Sequence, residues 1–273
     1  MEPNFRLDGK VTLMTGATGG IGHDSCLAMA AMGSDMGILY LGDHANAEKL
    51  AGEIRELGRK AYIIEHDLER TDELHGVVER FVAEAGRIDV LVNCAGVADV
   101  IKYDDVTPAL MERTYRINTM ASFFLAQRAA DFMIQQGDGG RVINVTSTNA
   151  LVAEANLAPY NTSKGGVELM TQSLAIELAP HRITVNNVAP GLVVTEIVQL
   201  TDSFWDEARR AIPLGRAGEA KEIGAAICFI ASPAASYITG QHIVVDGGLI
   251  IEQFPGLRDQ ADAMAPEDQS VRY

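Results

Sequence analysis

Val11-Thr12-Leu13-Met14-Thr15-Gly16-Ala17-Thr18-Gly19-Gly20-Ile21-Gly22 is the stretch from which the rest of the chain is read. Its first five residues form a short apolar run of the kind found in a strand covered on both faces. The glycines that follow permit a sharp turn, and Ile21, Ser25, Ala28 and Met32 then recur at helical spacing. Missing side chains at Gly16, Gly20 and Gly22 let the backbone approach a diphosphate, which the free N–H groups and positive dipole of the helix start can bind. A glycine run can also be a turn and nothing more. Its place between the first strand and the first helix favours the ligand.

Outward from this unit the same alternation continues. Gly37–Leu41, Ala61–Glu65, Asp89–Asn93, Arg141–Thr146, Arg182–Asn187 and His242–Val245 read as further strands, and Leu74, Val77, Val78, Phe81 and Val82 mark a second helical stripe. Gly9, Gly33, Gly58, Gly86 and Gly140 stand just before strands, where helix-ending turns call for a positive φ. Alternating strands and helices predict an α/β fold, a single doubly wound parallel sheet of Rossmann type with helices on both faces. No repeat or linker tract divides the chain, so one domain over 1–255 is expected, with residues 256–273 a polar tail.

The 273 residues carry 22 Lys and Arg against 37 Asp and Glu, a formal net charge of −15. A chain 47% hydrophobic and 22% charged is long enough to fold around a sizeable core. Its acidity argues against nucleic acid and anionic membrane surfaces as partners. No secretory signal and no apolar run long enough to span a bilayer is visible. The three cysteines, Cys26, Cys94 and Cys228, have neither disulfide-framework nor metal-ligand spacing, which fits a reducing, cytoplasmic setting and predicts no metal site.

Two signals extend the nucleotide reading. Asp67, after the third strand, either accepts a hydrogen bond from an adenine amino group or caps a helix. Asn93-Cys94-Ala95-Gly96 ends the fourth strand at the sheet edge where α/β folds bind ligands, although Asn93 can equally brace the backbone.

Tyr160-Asn161-Thr162-Ser163-Lys164 opens a helical stretch that runs to about Leu178. Residues four apart share a helix face, so the phenol lies beside an ammonium. Tyrosine ordinarily titrates near pH 10, too high for a base at neutrality, and a neighbouring cation favours the phenolate. Such a tyrosine can take a proton from an alcohol or return one to a ketone. Ser147, after the fifth strand, can present its hydroxyl to the same substrate oxygen.

With these residues in this order the chain resembles the short-chain dehydrogenase/reductase family. The resemblance runs from about Leu7 to Leu249, through Thr-Gly-x-x-x-Gly-x-Gly at Thr15–Gly22, Asn-x-Ala-Gly at Asn93–Gly96, Asn118 in the fourth long helix, Ser147, Tyr160-x-x-x-Lys164, Pro190-Gly191 and Asp246-Gly247-Gly248. It implies an enzyme that transfers a hydride between a nicotinamide cofactor, NAD or NADP, and a hydroxyl or carbonyl carbon. Tyr160 would be the general acid/base, Lys164 would lower its pKa and hold the nicotinamide ribose, Ser147 would position the substrate, and Asn118 would anchor a relay water. The cofactor would lie against Gly16, Thr18, Gly20, Ile21, Gly22, Tyr40, Leu41, Asp67, Leu68, Asn93, Ala95 and Gly96, with Pro190, Gly191, Val193 and Thr195 at its nicotinamide end. A homotetramer is implied as well.

The departures from the family pattern concern cofactor choice. NAD-specific members usually carry Asp at the position of Tyr40, and NADP-specific members often carry Arg at the position of Leu41. Neither determinant is present, Gly19 stands where NADP-using relatives often have a basic residue, and Asp43 and His44 pull in opposite directions. The balance leans to NAD. Cys94, in place of a second Asn, is expected to pack.

Substrate contacts are expected from Val97–Val100, Thr148–Leu157 and Leu192–Arg216, with Asn149, Glu154 and Asn156 as polar candidates and Trp205 as a lid aromatic. These side chains can alternatively face solvent, and Trp205 can simply pack the lid. The segment from Ile212 onward is similar to sugar dehydrogenases of the family, which points to a sugar or related polyhydroxylated small molecule. A 3-oxoacyl-thioester reductase is the enzyme alternative. It must dock an acidic carrier, for which Arg209, Arg210 and Arg216 would have to supply a basic patch. A redox-sensing dinucleotide-binding protein is the non-enzymatic alternative, which the presence of Ser147, Tyr160 and Lys164 disfavours.

Overall fold

The computed structural model describes residues 4–195 and 201–251. The expected tail lies outside them, as does part of the loop after Thr195. Seven parallel strands form the main sheet in the order β3-β2-β1-β4-β5-β6-β9: β1 (Val11–Thr15), β2 (Asp35–Tyr40), β3 (Ala61–Glu65), β4 (Val90–Asn93), β5 (Gly140–Val145), β6 (Ile183–Pro190) and β9 (His242–Val245). A short ribbon, β7 (Val193–Val194) with β8 (Gly218–Glu219), lies apart from it. The helices are α1 (Gly20–Ala31), α2 (His44–Glu56), α3 (Leu74–Ala85), α4 (Pro108–Tyr115), α5 (Ala121–Gln136), α6 (Ala158–Leu178), α7 (Asp202–Ala211) and α8 (Ala220–Ala231). This is the expected doubly wound fold, with strand order reversing between β1 and β4.

The strands are apolar toward both sides over most of their length because each face has its own core. Met14, Ile38, Val92 and Ile143 belong to one cluster with Met29, Leu50 and Ile227 of α1, α2 and α8. Their neighbours Leu13, Leu39, Leu91 and Val142 belong to the other, with Phe81, Leu125 and Leu174 of α3, α5 and α6. Adjacent residues on a strand point to opposite faces, so a continuous apolar run fills both layers. The first helical stripe is displaced from expectation. The fully buried face of α1 runs through Gly22, Ser25, Cys26 and Met29, while Ile21, Ala28 and Met32 are half-buried.

The expected ranges of β1, β3 and β9 coincide with the observed strands, β2, β4, β5 and β6 differ by one to three residues at one or both ends, and one glycine assignment changes. Gly140 is the first residue of β5 and has no positive φ; Gly137 and Gly139 take that conformation in its place. Gly140 is small for a different reason, since a Cβ there would lie 2.3 Å from Met133 Sδ.

One row of the sheet is polar. Asn93, Asn144, Asn187 and His242 stand side by side in register across β4, β5, β6 and β9. Asn93 Nδ2 donates to Asn144 Oδ1 (2.9 Å), Asn144 Nδ2 to Thr171 Oγ1 (2.8 Å), Thr171 Oγ1 to Asn187 Oδ1 (2.6 Å) and Asn187 Nδ2 to Glu168 Oε2 (2.8 Å). Glu168 also bonds the His242 ring. Buried amides are costly unless paired. Asn93 pairs with Asn144 across the strands, and Thr171 and Glu168 of α6 partner Asn144, Asn187 and His242, leaving Asn93 Oδ1 and His242 Nε2 without a bond. The row ties β4, β5, β6 and β9 to α6 in one register, and the loops after β4 and β5 emerge just beyond it.

Candidate active site

The carboxyl ends of β1, β4, β5 and β6 open into a cleft at the point where strand order reverses, the place where sheets of this kind bind ligands. At its floor is the glycine turn. Gly16 has φ +63°, and a Cβ on it would fall 2.8 Å from Ala95 Cα. A Cβ on Gly22 would fall 2.2 Å from the Gly16 carbonyl oxygen, so the helix starts directly against the turn. Gly20 faces Thr195, whose methyl would be 3.0 Å from an added Cβ. The N-cap of α1, Gly19, makes no side-chain capping bond, and the first turn holds no acidic residue. Its N–H groups and positive dipole are open to an anion. Thr15 Oγ1 accepts from both Cys94 N and Ala95 N at 3.0 Å, tying the two strand ends together.

A cavity of about 280 Å³ beside this turn is lined by Gly16, Thr18, Tyr40, Leu41, Asp67, Leu68, Ala95 and Gly96 from the expected set, together with His66, Arg113 and others. His66 Nε2 is buried there without a partner. Asp67 Oδ1 accepts from Glu69 N (2.9 Å), so the carboxylate shapes its own turn while lining the cavity. Asn93 turns away: it donates to Ser122 O and Asn144 Oδ1 and braces the strand. Ile21 packs against the core, and Val193 is buried in β7. A bare helix start, a glycine floor and an apolar slot with a polar rim fit a dinucleotide.

The proton-transfer residues meet across the cleft. Ser147, after β5, receives the Asn149 N–H (3.1 Å) on its Oγ and donates to Asn149 Oδ1 (3.3 Å), and its hydroxyl acts on the Tyr160 phenol to favour the phenolate. Lys164 is 4% exposed; its Nζ donates to Val145 O (2.9 Å) and lies 5.8 Å from the centre of the Tyr160 ring. Gly96 leaves room for this ammonium, since an added Cβ would sit 3.3 Å from Nζ and 3.4 Å from Asn118 Oδ1. Asn118 belongs to a π-helical turn, Arg116–Met120, between α4 and α5. Its amide clamps Val97 through both N–H and C=O and also donates to Ser163 Oγ, each at 2.9 Å. Such turns recur where a helix must present a functional side chain.

The electrostatics correct one expectation. Burial pushes the Tyr160 phenol up, the Ser147 hydrogen bond opposes this, and the Glu154 carboxylate adds to the rise. Burial lowers Lys164 to about 8. The ammonium points past the ring toward Val145, so desolvation outweighs any stabilisation of the phenolate in this arrangement. Burial also holds the Cys94 thiol up at about 11, which leaves it a packing group.

Beyond Ser147 lies a second cavity, of about 370 Å³, walled by Thr148, Asn149, Glu154, Gly191, Leu192, Leu249, Ile212 and one face of α7. Two of its lining residues adjoin Ser147: Thr148 follows it in the chain, and Asn149 N donates to its Oγ.

Comparison with known proteins agrees with this geometry. Residues 16–250 match the family model described as enoyl-(acyl carrier protein) reductase. The chain is 35% identical to L-rhamnose 1-dehydrogenase (NAD(P)(+)) of Sphingomonas sp. (strain SKA58), over 90% of this chain and 98% of that protein. A short-chain type dehydrogenase/reductase from Mycobacterium marinum superposes with a TM-score of 0.86 at 35% identity, covering 91% and 98% of the two chains. The chain is a short-chain dehydrogenase/reductase. A gluconate 5-dehydrogenase from Burkholderia cenocepacia J2315, solved in complex with NADP and tartrate, superposes on it with the same TM-score, 0.86, at 32% identity and 92% and 98% coverage. The protein is thus an NAD(P)-dependent oxidoreductase acting on CH–OH groups.

In this short-chain dehydrogenase/reductase two substrate candidates fall away from the cavity. Asn156 does not line it; the residue holds a left-handed turn (φ +61°), and its carbonyl accepts from Ile101 N (2.8 Å). Trp205 is half-buried and meets Phe204 edge-on, and it is Phe204 that lines the cavity. Glu207 was missed. Phe204, Glu207, Ala208 and Ala211 share one face of α7 at spacings of three and four, a periodicity readable in the sequence. Arg209 pairs with Asp206 and Arg216 with both oxygens of Glu222, so two of the three arginines considered for carrier docking are already neutralised. Among the described residues no helix is long and apolar enough to cross a membrane.

Proposed function

We propose that this dehydrogenase acts on a neutral, polyhydroxylated substrate of the sugar class, with NAD as its hydride acceptor. The carrying observation is the lining of the 370 Å³ cavity. Its polar groups are Thr148, Asn149, Glu154 and Glu207, and among the described residues no Lys or Arg lines it. Carboxylates and an amide accept hydrogen bonds from substrate hydroxyls, while Leu192, Phe204, Ile212 and Leu249 cover the C–H faces of a ring. Two carboxylates disfavour a sugar acid, and the neutralised arginines disfavour an acidic carrier. L-rhamnose, on which the relative from Sphingomonas acts, is a neutral sugar; the gluconate 5-dehydrogenase marks the acid alternative.

In this reading Ser147 donates to the substrate oxygen and Tyr160 exchanges its phenolic proton with it. The nicotinamide, when bound, supplies or removes the hydride. Gly16, Gly20 and the start of α1 hold the diphosphate, Lys164 holds the nicotinamide ribose, and Asn118 keeps Val97 and Ser163 in place around the ammonium. Burial keeps Tyr160 protonated at neutrality, so oxidation accelerates as pH rises and reduction does not require it. We also propose a cytoplasmic homotetramer; Leu169 and Ile176, exposed along α6, suit a subunit contact.

Absorbance of reduced nicotinamide, scanned over neutral sugars, polyols, sugar acids and 3-oxoacyl thioesters with each cofactor, tests the substrate class. Turnover of neutral sugars supports it, and turnover confined to the thioester replaces it with a carrier-linked reductase. Tyr160→Phe should lose roughly 10²–10⁴-fold in turnover while nucleotide affinity is retained. Near-normal turnover in that variant would remove Tyr160 from its role.

A further inference from the structure

The turn between β2 and α2 borders the 280 Å³ cavity through Tyr40 and Leu41, and neither position carries the residue that the family pattern leads one to expect there. The donors of this turn are not vacant. Gly42 N donates to Glu65 Oε1 at 3.1 Å, and Glu65 stands opposite Tyr40 in the register of β2 with β3. Asp43 caps α2 by accepting from Asn46 N (3.3 Å) and Asn46 Nδ2 (2.7 Å). The Tyr40 hydroxyl bonds His44 Nδ1 at 2.7 Å, and His44 Nε2 lies 3.9 Å from Glu48. The nearby cations are spoken for as well. Lys49 lies 3.9 Å from Glu53, and Arg113, across the cavity, pairs with Glu69 (2.9 Å) and Asp99 (3.4 Å). Even the Tyr40 phenol, raised first by burial, is raised further by Glu65 and Glu48.

We infer that Glu65, reaching across from the end of β3, selects the cofactor by occupying the Gly42 amide with negative charge and so rejecting a 2′-phosphate. This rests on the dinucleotide reading of the cleft. A ribose with a free 2′-hydroxyl brings no charge to the turn, whereas a 2′-phosphate brings a dianion to a place where each of these donors is already bonded to a carboxylate or a phenol. The turn is exposed to solvent, so the discrimination is modest, about tenfold at low salt, and salt weakens it.

The test is direct binding. NADH and NADPH are titrated separately into the full-length protein and followed by nicotinamide fluorescence at low and high ionic strength. The wild type should bind NADH about tenfold more tightly at low salt, with the ratio shrinking at high salt. Glu65→Gln keeps an acceptor for the Gly42 N–H and removes the charge; it should tighten NADPH relative to NADH by about fivefold and flatten the salt dependence of the ratio. Glu65→Arg should move the ratio further in the same direction. Equal binding of the two nucleotides by the wild type, or a ratio unmoved in Glu65→Gln, overturns the inference and leaves the cofactor site standing. Failure to bind either nucleotide overturns the site and the inference together.

Discussion

On the nucleotide side of the cleft the surface is made mostly of backbone and absent side chains: Gly16, Gly20, Gly22, Gly96 and the uncapped start of α1. On the substrate side it is made of side chains on loops and on α7: Asn149, Glu154, Phe204 and Glu207. The first surface rests directly on β1 and β4 and is tied to them by Thr15; the second spans segments far apart in sequence. Backbone geometry recognises what every nicotinamide dinucleotide shares, a diphosphate between two nucleosides, and can be altered little without collapse. Side chains on loops can be exchanged one at a time, which is where specificity resides.

The sharpest way to break the nucleotide side is Gly22→Ala. The added methyl meets the Gly16 carbonyl at 2.2 Å, and both groups are backbone-held. Turn and helix must separate, which should cost about 3 kcal/mol and abolish nucleotide binding. Denaturant unfolding and NADH titration check the two halves of this expectation. A variant that binds NADH normally would mean that the helix approach is not what forms the site.

The same contrast explains how much could be read beforehand. The strand–turn–helix of Val11 to Ala31 and the pair Tyr160 and Lys164 are local patterns, in which each residue's partner lies within a turn or two of chain. Asn118 was recognised as a site residue, but its π turn was not, because nothing in Arg116–Met120 marks an extra residue in the helix. The partners of Lys164 and Gly42 are Val145 O and Glu65, distant in sequence, one of them a carbonyl that every residue possesses. Asn93 was legible as a brace or a ligand contact; only the register with Asn144 distinguishes them. Glu207 was readable by periodicity, yet its significance depends on Glu154 facing the same cavity.

Lys164 joins the two sides, and its burial gives a measurable pH dependence. The proton leaves the native protein near pH 8 and the unfolded chain near 10.5. Between these values the unfolded state holds more protons, so native stability climbs with pH by up to about 1.4 kcal/mol per unit. Below that window both states are protonated and the penalty is constant. Lys164→Met removes the titrating group, so the climb between about pH 8 and about pH 10 should be present in the wild type and missing in the variant. Urea midpoints across that range decide it; parallel curves would mean that the ammonium is not held out of water.

The smallest effect expected is on the substrate side. Glu154 reaches Asn149 and lines the cavity, and its charge contributes to raising the Tyr160 phenol. Glu154→Gln keeps the size and a hydrogen-bond acceptor while removing that charge. The alkaline rise of the oxidation rate at saturating substrate should then move to lower pH, since the phenolate no longer faces a carboxylate. The nucleotide side makes no contact with Glu154 in any of its hydrogen bonds, so NADH affinity should stay where it was. A pH profile that fails to move while NADH binding weakens would place Glu154 on the wrong side of the cleft. A profile that moves with binding unchanged separates the two surfaces energetically as well as structurally: a side-chain charge retunes the proton donor, and the glycine floor beneath it does not respond.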